Sequence, residues 1–122
     1  MNRPPIRVFI NEWDPLTLTT SYGEAHSILG EGLLFGFILR LNSDSGVSLK
    51  LTIDEDSCFE LNLSDFRSKY NPDYNSSGLY YSSGLWAFRP PHSIRFNLFK
   101  LEAKKSTGTR RIDYGVTEWG RF

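Results

Sequence analysis

Residues 33–63, LLFGFILRLNSDSGVSLKLTIDEDSCFELNL, decide the fold. Leu33, Phe35, Phe37, Leu39 and Leu41 fall on one face of an extended chain. Val47, Leu49, Leu51 and Ile53 do the same, opposite Ser48, Lys50, Thr52 and Asp54. Phe59, Leu61 and Leu63 alternate with Glu60, Asn62 and Ser64. Alternation of period two over three successive runs is the mark of half-buried β-strands. The connectors Asn42-Ser43-Asp44-Ser45-Gly46 and Asp54-Glu55-Asp56-Ser57 carry side chains that bond their own backbone, and a glycine that tolerates positive φ. The stretch predicts an antiparallel meander with one buried face, and that face requires a second layer.

The flanking sequence supplies that layer. Upstream, Ile6, Val8 and Ile10 alternate with Arg7 and Phe9, and LTLTT at 16–20 is a second strand. Residues 26–29 suggest a further short one. Downstream, Ser64 is placed to cap one or two helical turns running to Tyr70. Strands are then predicted at Leu85–Phe88, from Ile94 to about Leu101, and over Arg110–Glu118 with Ile112, Tyr114 and Val116 inward. Seven or eight strands with at most one short helix make an all-β, antiparallel, jelly-roll-like β-sandwich, a flattened barrel being the alternative. The two prolines of residues 1–5 mark an extended N-terminal arm, and residues 6–122 form one domain with a long Tyr/Ser/Gly loop at 71–85.

Composition narrows the function. Lys plus Arg and Asp plus Glu are 14 each, so there is no basic excess for nucleic acid and little charge repulsion between copies. Aromatics reach 15 % of the chain, which favours packed cores and contact surfaces. The single cysteine, Cys58, allows neither an internal disulfide nor a cysteine-based zinc site. No signal-peptide pattern opens the sequence and no stretch has the length of a transmembrane helix. Cytoplasmic synthesis without membrane insertion is expected.

The candidate contact residues are aromatic. In the loop, Ser76-Ser77-Gly78-Leu79 leads to Tyr80, and Ser82-Ser83-Gly84-Leu85 leads to Trp86, with Tyr70, Tyr74 and Tyr81 nearby. Tyrosine gives large contact area at low entropy cost while Ser and Gly adapt. Trp119 and Phe122 add anchors near the end of the sequence. Asp54, Glu55 and Asp56 offer carboxylates of the kind calcium takes, without the spacing of a calcium loop. His26 and His92 stand beside no recognisable nucleophile motif, so catalytic residues, metals and cofactors are expected to be none.

The pattern from Gly30 to Trp119, with GLLFGFILRLNSDSGVSLKLTIDEDSCFELNLSDF, IRFNLFKLEA and RRIDYGVTEW, resembles β-sandwich structural proteins of tailed phages and related virus particles. That resemblance implies a non-enzymatic tail, adaptor or head-fibre subunit, assembled with copies of itself or a neighbouring structural subunit and carried in a virion. The alternative reading is a carbohydrate-binding module whose loop aromatics stack on sugar rings.

Overall fold

A computed structural model describes residues 7–69 and 78–121. The predicted arm at 1–5 and residues 71–77 of the predicted loop lie outside them. The described chain runs β1 (Arg7–Glu12), β2 (Leu16–Thr17), β3 (Gly23–Leu41), β4 (Val47–Ile53), β5 (Asp56–Asn62), α1 (Leu63–Lys69), β6 (Leu79–Ser82), β7 (Leu85–Phe88), β8 (Ile94–Lys105) and β9 (Arg111–Arg121). Every pairing is antiparallel. The fold is all-β and sandwich-like, with nine strands: β6 joins those expected, the strand expected at 16–20 is the two-residue β2, and the one expected at 26–29 is part of β3.

β3 organises the molecule. All nine strands belong to one hydrogen-bonded sheet, and the 19 residues of β3 serve its two halves, termed the first and second sheets, in succession. Gly23–Leu34 pairs with β8, which leads on to β4 and β5 and forms the first sheet. From Leu33 to Leu41 the same strand pairs with β9, which carries β1 and β2 on its far side. Over Phe37–Arg40 its other edge holds β7, followed by β6, completing the second sheet. Register shifts after Leu29 and after Leu34 mark the crossing, as expected where a strand bends between layers.

The core lies between the sheets. Leu49, Leu51, Phe99 and Leu101 from the first meet Phe37, Leu39, Trp86 and Phe88 from the second, all buried. Phe59 of β5 meets Phe88 of β7 edge to face at 5.6 Å. Burial of each large apolar side chain contributes roughly 1.5–3 kcal/mol.

The bulges correct several predicted faces. Phe37 and Leu39 point inward as read, but upstream of the shift at Gly36 it is Leu34 that is buried, not Leu33 or Phe35. On β1 the core residue is Phe9, stacked on Trp119 at 4.6 Å, while Val8 and Ile10 are exposed. On β9 a shift beyond Ile112 turns Tyr114 and Val116 outward and leaves Thr117 and Trp119 facing the core. The helix cap is Asn62 rather than Ser64: its Oδ1 accepts the Asp65 N–H at 3.1 Å and the Ser64 hydroxyl at 2.9 Å. The later part of the predicted loop is a hairpin, β6–β7, turned by Ser83 and Gly84. Both have positive φ, 52° and 83°, the geometry of the two-residue turn that matches strand twist.

Candidate functional site

Directly paired residues on adjacent antiparallel strands share a face. The register therefore defines the outer surface of each sheet. On the first sheet one row across β3, β8, β4 and β5 is Glu24, Glu102, Lys50 and Glu60. The next is Ser27, Lys100, Thr52 and Ser57. The Tyr22 ring lies beneath Lys104 Nζ at 4.7 Å, and its hydroxyl donates to Glu60 Oε2 at 2.7 Å. Partial burial and Glu60 push the Tyr22 phenol above its ordinary range. This is an ordinary hydrated back.

The second sheet differs. Its central outer row reads Glu12 on β1, Val116 on β9, Ile38 on β3, Ala87 on β7 and Tyr80 on β6. The adjacent row is Tyr114, Arg40, Leu85 and Ser82. Val116 and Ala87 are buried among their neighbours, Ile38 and Leu85 are half-buried, and Tyr80 and Tyr114 are exposed. Charge flanks the central row: Arg40 on β3 stands in the adjacent row and Glu12 ends the central one on β1. Arg89 pairs with Glu118 at 3.1 Å, and Arg40 and Glu12 are exposed. An apolar centre inside a polar rim is the anatomy of a protein–protein contact surface.

The sequence-predicted aromatics divide among several places. Tyr80 lies on the apolar face. Tyr81, its neighbour on the strand, points the opposite way and packs on Trp86 at 5.4 Å with the Arg67 guanidinium 5.1 Å from its ring. Trp86 is a core residue at 1 % exposure, and its Nε1–H donates to Asp44 Oδ2 at 3.2 Å. Trp119 is also buried, donating to Asn11 Oδ1 at 2.6 Å. The structure thus does not bring Tyr80, Tyr81 and Trp86 together as one stacking platform, and neither tryptophan offers a free ring face. Tyr70, Tyr74 and Phe122 lie outside the described residues.

Beside Tyr81 is a cleft of about 350 Å³ lined by Leu41, Asn42, Ser43, Asp44, Gly84 and Trp86. Asp44 is its centre. Its carboxylate takes Arg67 Nε and Nη2, both at 2.9 Å, as well as the Trp86 indole. Those bonds tie the β3–β4 turn to α1 and to the β6–β7 hairpin.

The acidic turn has a structural occupation. Asp54 Oδ1 accepts the backbone N–H of Asn97 at 2.7 Å and of Leu98 at 2.9 Å. These bonds hold the irregularity at which β8 changes its inward residue from Phe96 to Phe99. Among the described residues no group of three or more His, Cys, Asp or Glu is placed to hold a metal.

His26 does have a hydroxyl beside it. Its Nδ1 is 2.8 Å from Thr117 Oγ1, which also accepts the Trp13 indole N–H at 2.7 Å. Thr117 is fully buried, so its single hydroxyl proton needs a partner, and with His26 neutral and protonated on Nε2 that partner is His26 Nδ1. The Thr117 hydroxyl is fully buried, while the half-buried His26 ring lines a cleft with Glu12, Asp14 and Glu24. Burial lowers the His26 pKa, and Glu24 opposes the shift.

Sequence reasoning missed the apolar outer face. The available signal was two runs, Phe37-Ile38-Leu39 and Leu85-Trp86-Ala87-Phe88, apolar on both parities, the pattern of strands covered on two sides. No family model matches the chain and no curated protein matches it. Among the described residues no helix is long and apolar enough to cross a membrane.

Proposed function

We propose that the chain is a non-enzymatic structural subunit that works by protein–protein contact through the outer face of its second sheet, assembling with copies of itself or with a neighbouring subunit. The observation that carries this reading is the row Val116, Ile38, Ala87 and Tyr80, apolar across four adjacent strands while the matching rows of the first sheet are charged or polar. The absence of net charge favours close association. Incorporation into a virus particle is the setting that the resemblance of residues 30–119 to phage structural proteins adds to the proposal.

Paired variants test it. Ile38→Lys and Tyr114→Lys place charge on the apolar face, and Thr52→Lys places the same charge on the polar one. Light scattering after size exclusion is expected to show assemblies that shrink in the first two variants and persist in the third. Equal behaviour of all three would overturn the reading.

A further inference from the structure

Among the described residues four strands end the hydrogen-bonded ladders, and they are not equally protected. β5 bears Asp56 and Glu60 and is bulged against β4. β6 has four residues and β2 has two. β1, RVFINE, has six residues, unbroken register with β9, and neither lysine nor proline. Its outward side chains, Val8 and Ile10, are 63 % and 69 % exposed. Natural sheets blunt such edges with charge, proline, bulges or shortness, and β1 uses none of these along its middle.

The free side of β1 has a defined hydrogen-bond phase. Trp13 N–H donates to Gly115 O at 2.8 Å, continuing the register in which Glu12 faces Val116. Positions 7, 9 and 11 share that phase and bond toward β9. The N–H and C=O groups of Val8, Ile10 and Glu12 therefore point to the open side.

We propose that β1 is a docking edge for a second copy of this chain, joined antiparallel about a two-fold axis normal to the second sheet. The inference deepens the assembly reading above and rests on it. Such an axis keeps the faces of both copies aligned, so only same-face residues can pair. Centring it on Phe9 sets Val8 opposite Ile10 of the second copy and Ile10 opposite its Val8. Both are bond-exchanging pairs in the phase just derived, and all four side chains are apolar and outward. Charge favours this direction: β1 has its cation, Arg7, at one end and its carboxylate, Glu12, at the other. Antiparallel pairing centred on Phe9 sets each Arg7 opposite Asn11 of the second copy, on the same face, whereas parallel in-register pairing would set Arg7 against Arg7. The two second sheets then become one, and their apolar faces become continuous.

Sedimentation velocity from about 1 μM to about 1 mM tests the edge. Wild type is expected to form a concentration-dependent dimer. Ile10→Pro deletes an N–H on the open side without touching a bond to β9, and is expected to weaken dimerisation at least about tenfold with an unchanged circular dichroism spectrum. Ile10→Lys, a change at an exposed position, is the second variant if proline disturbs folding. A wild type monomeric throughout, or a dimer indifferent to both variants, overturns the edge pairing. Ile38→Lys separates the two proposals: association lost there but retained in both Ile10 variants overturns the edge and leaves the apolar face standing. Association lost in the Ile10 variants alone supports the edge and counts against the face.

Discussion

The buried Thr117 hydroxyl and Nδ1 of the half-buried His26 ring meet at 2.8 Å, joining β9 to the start of β3. Trp13 closes the arrangement from β1's side, stacked on the His26 ring with centroids 5.9 Å apart. Protonated His26 would donate at Nδ1, and the buried Thr117 hydroxyl would lose its acceptor.

This arrangement predicts acid sensitivity. The folded pKa of His26 lies below its ordinary value of 6.5, from burial, with Glu24 opposing and Glu12 and Asp14 lining the same cleft. The unfolded chain therefore binds more protons in the window between the two values, and stability rises with pH there. The contribution of neutral His26 is complete above about pH 6.5 and is lost as the pH falls toward the folded value. His26→Gln keeps an acceptor for Thr117 and removes the titration. Its Tm is expected to fall less than that of wild type between pH 7.5 and pH 5, as read by thermal melts at both.

Gly115 is expected to tolerate no side chain. A Cβ there would stand 1.9 Å from Trp13 Cε3. The indole is rigid and bonded to Thr117, so it has no soft end to move. Gly115→Ala should cost about 2–3 kcal/mol in urea denaturation. Tryptophan emission should shift as Trp13 leaves its site.

Asp54 should behave as a backbone clamp and not as a calcium ligand. Its φ of 58° is one that asparagine also tolerates, and its carboxylate holds two N–H groups. Asp54→Ala is expected to lose about 2 kcal/mol, and Asp54→Asn less than half of that. Millimolar calcium should leave the wild-type Tm unchanged in differential scanning fluorimetry.

Asp44 and Arg67 should be unequal partners. The Arg67 side chain is 42 % exposed and Asp44 is 11 % exposed. Arg67→Ala breaks a surface pair and should cost less than about 1 kcal/mol. Asp44→Ala also strands the Trp86 indole N–H in the core boundary and should cost about 2 kcal/mol. Denaturant titration of the two variants separates the roles.

Strand existence was legible in the sequence because it depends on local alternation. Strand face was less so. At β3 and β9 a single extra residue reverses the alternation, and nothing in Leu33–Gly36 or Asp113–Gly115 shows which residue the partner strand will skip. In sequence Trp86 and Trp119 have the character of surface anchors, because aromatic residues are common at interfaces. Their indole nitrogens instead find Asp44 and Asn11, residues 42 and 108 positions away, and that distance hides the pairing from local reasoning. The apolar outer face was hidden for the same reason, since its row draws on strands far apart in the chain.

The passage of β3 through both sheets also has a mechanical meaning. Tension applied to the second sheet reaches the first along covalent backbone, from Leu41 to Gly23, and not only across side-chain contacts. Two separately built sheets can slide when sheared; these share a girder. A pull at the β1 edge would load β9, then β3, then β8 in series, so the molecule should yield as one unit.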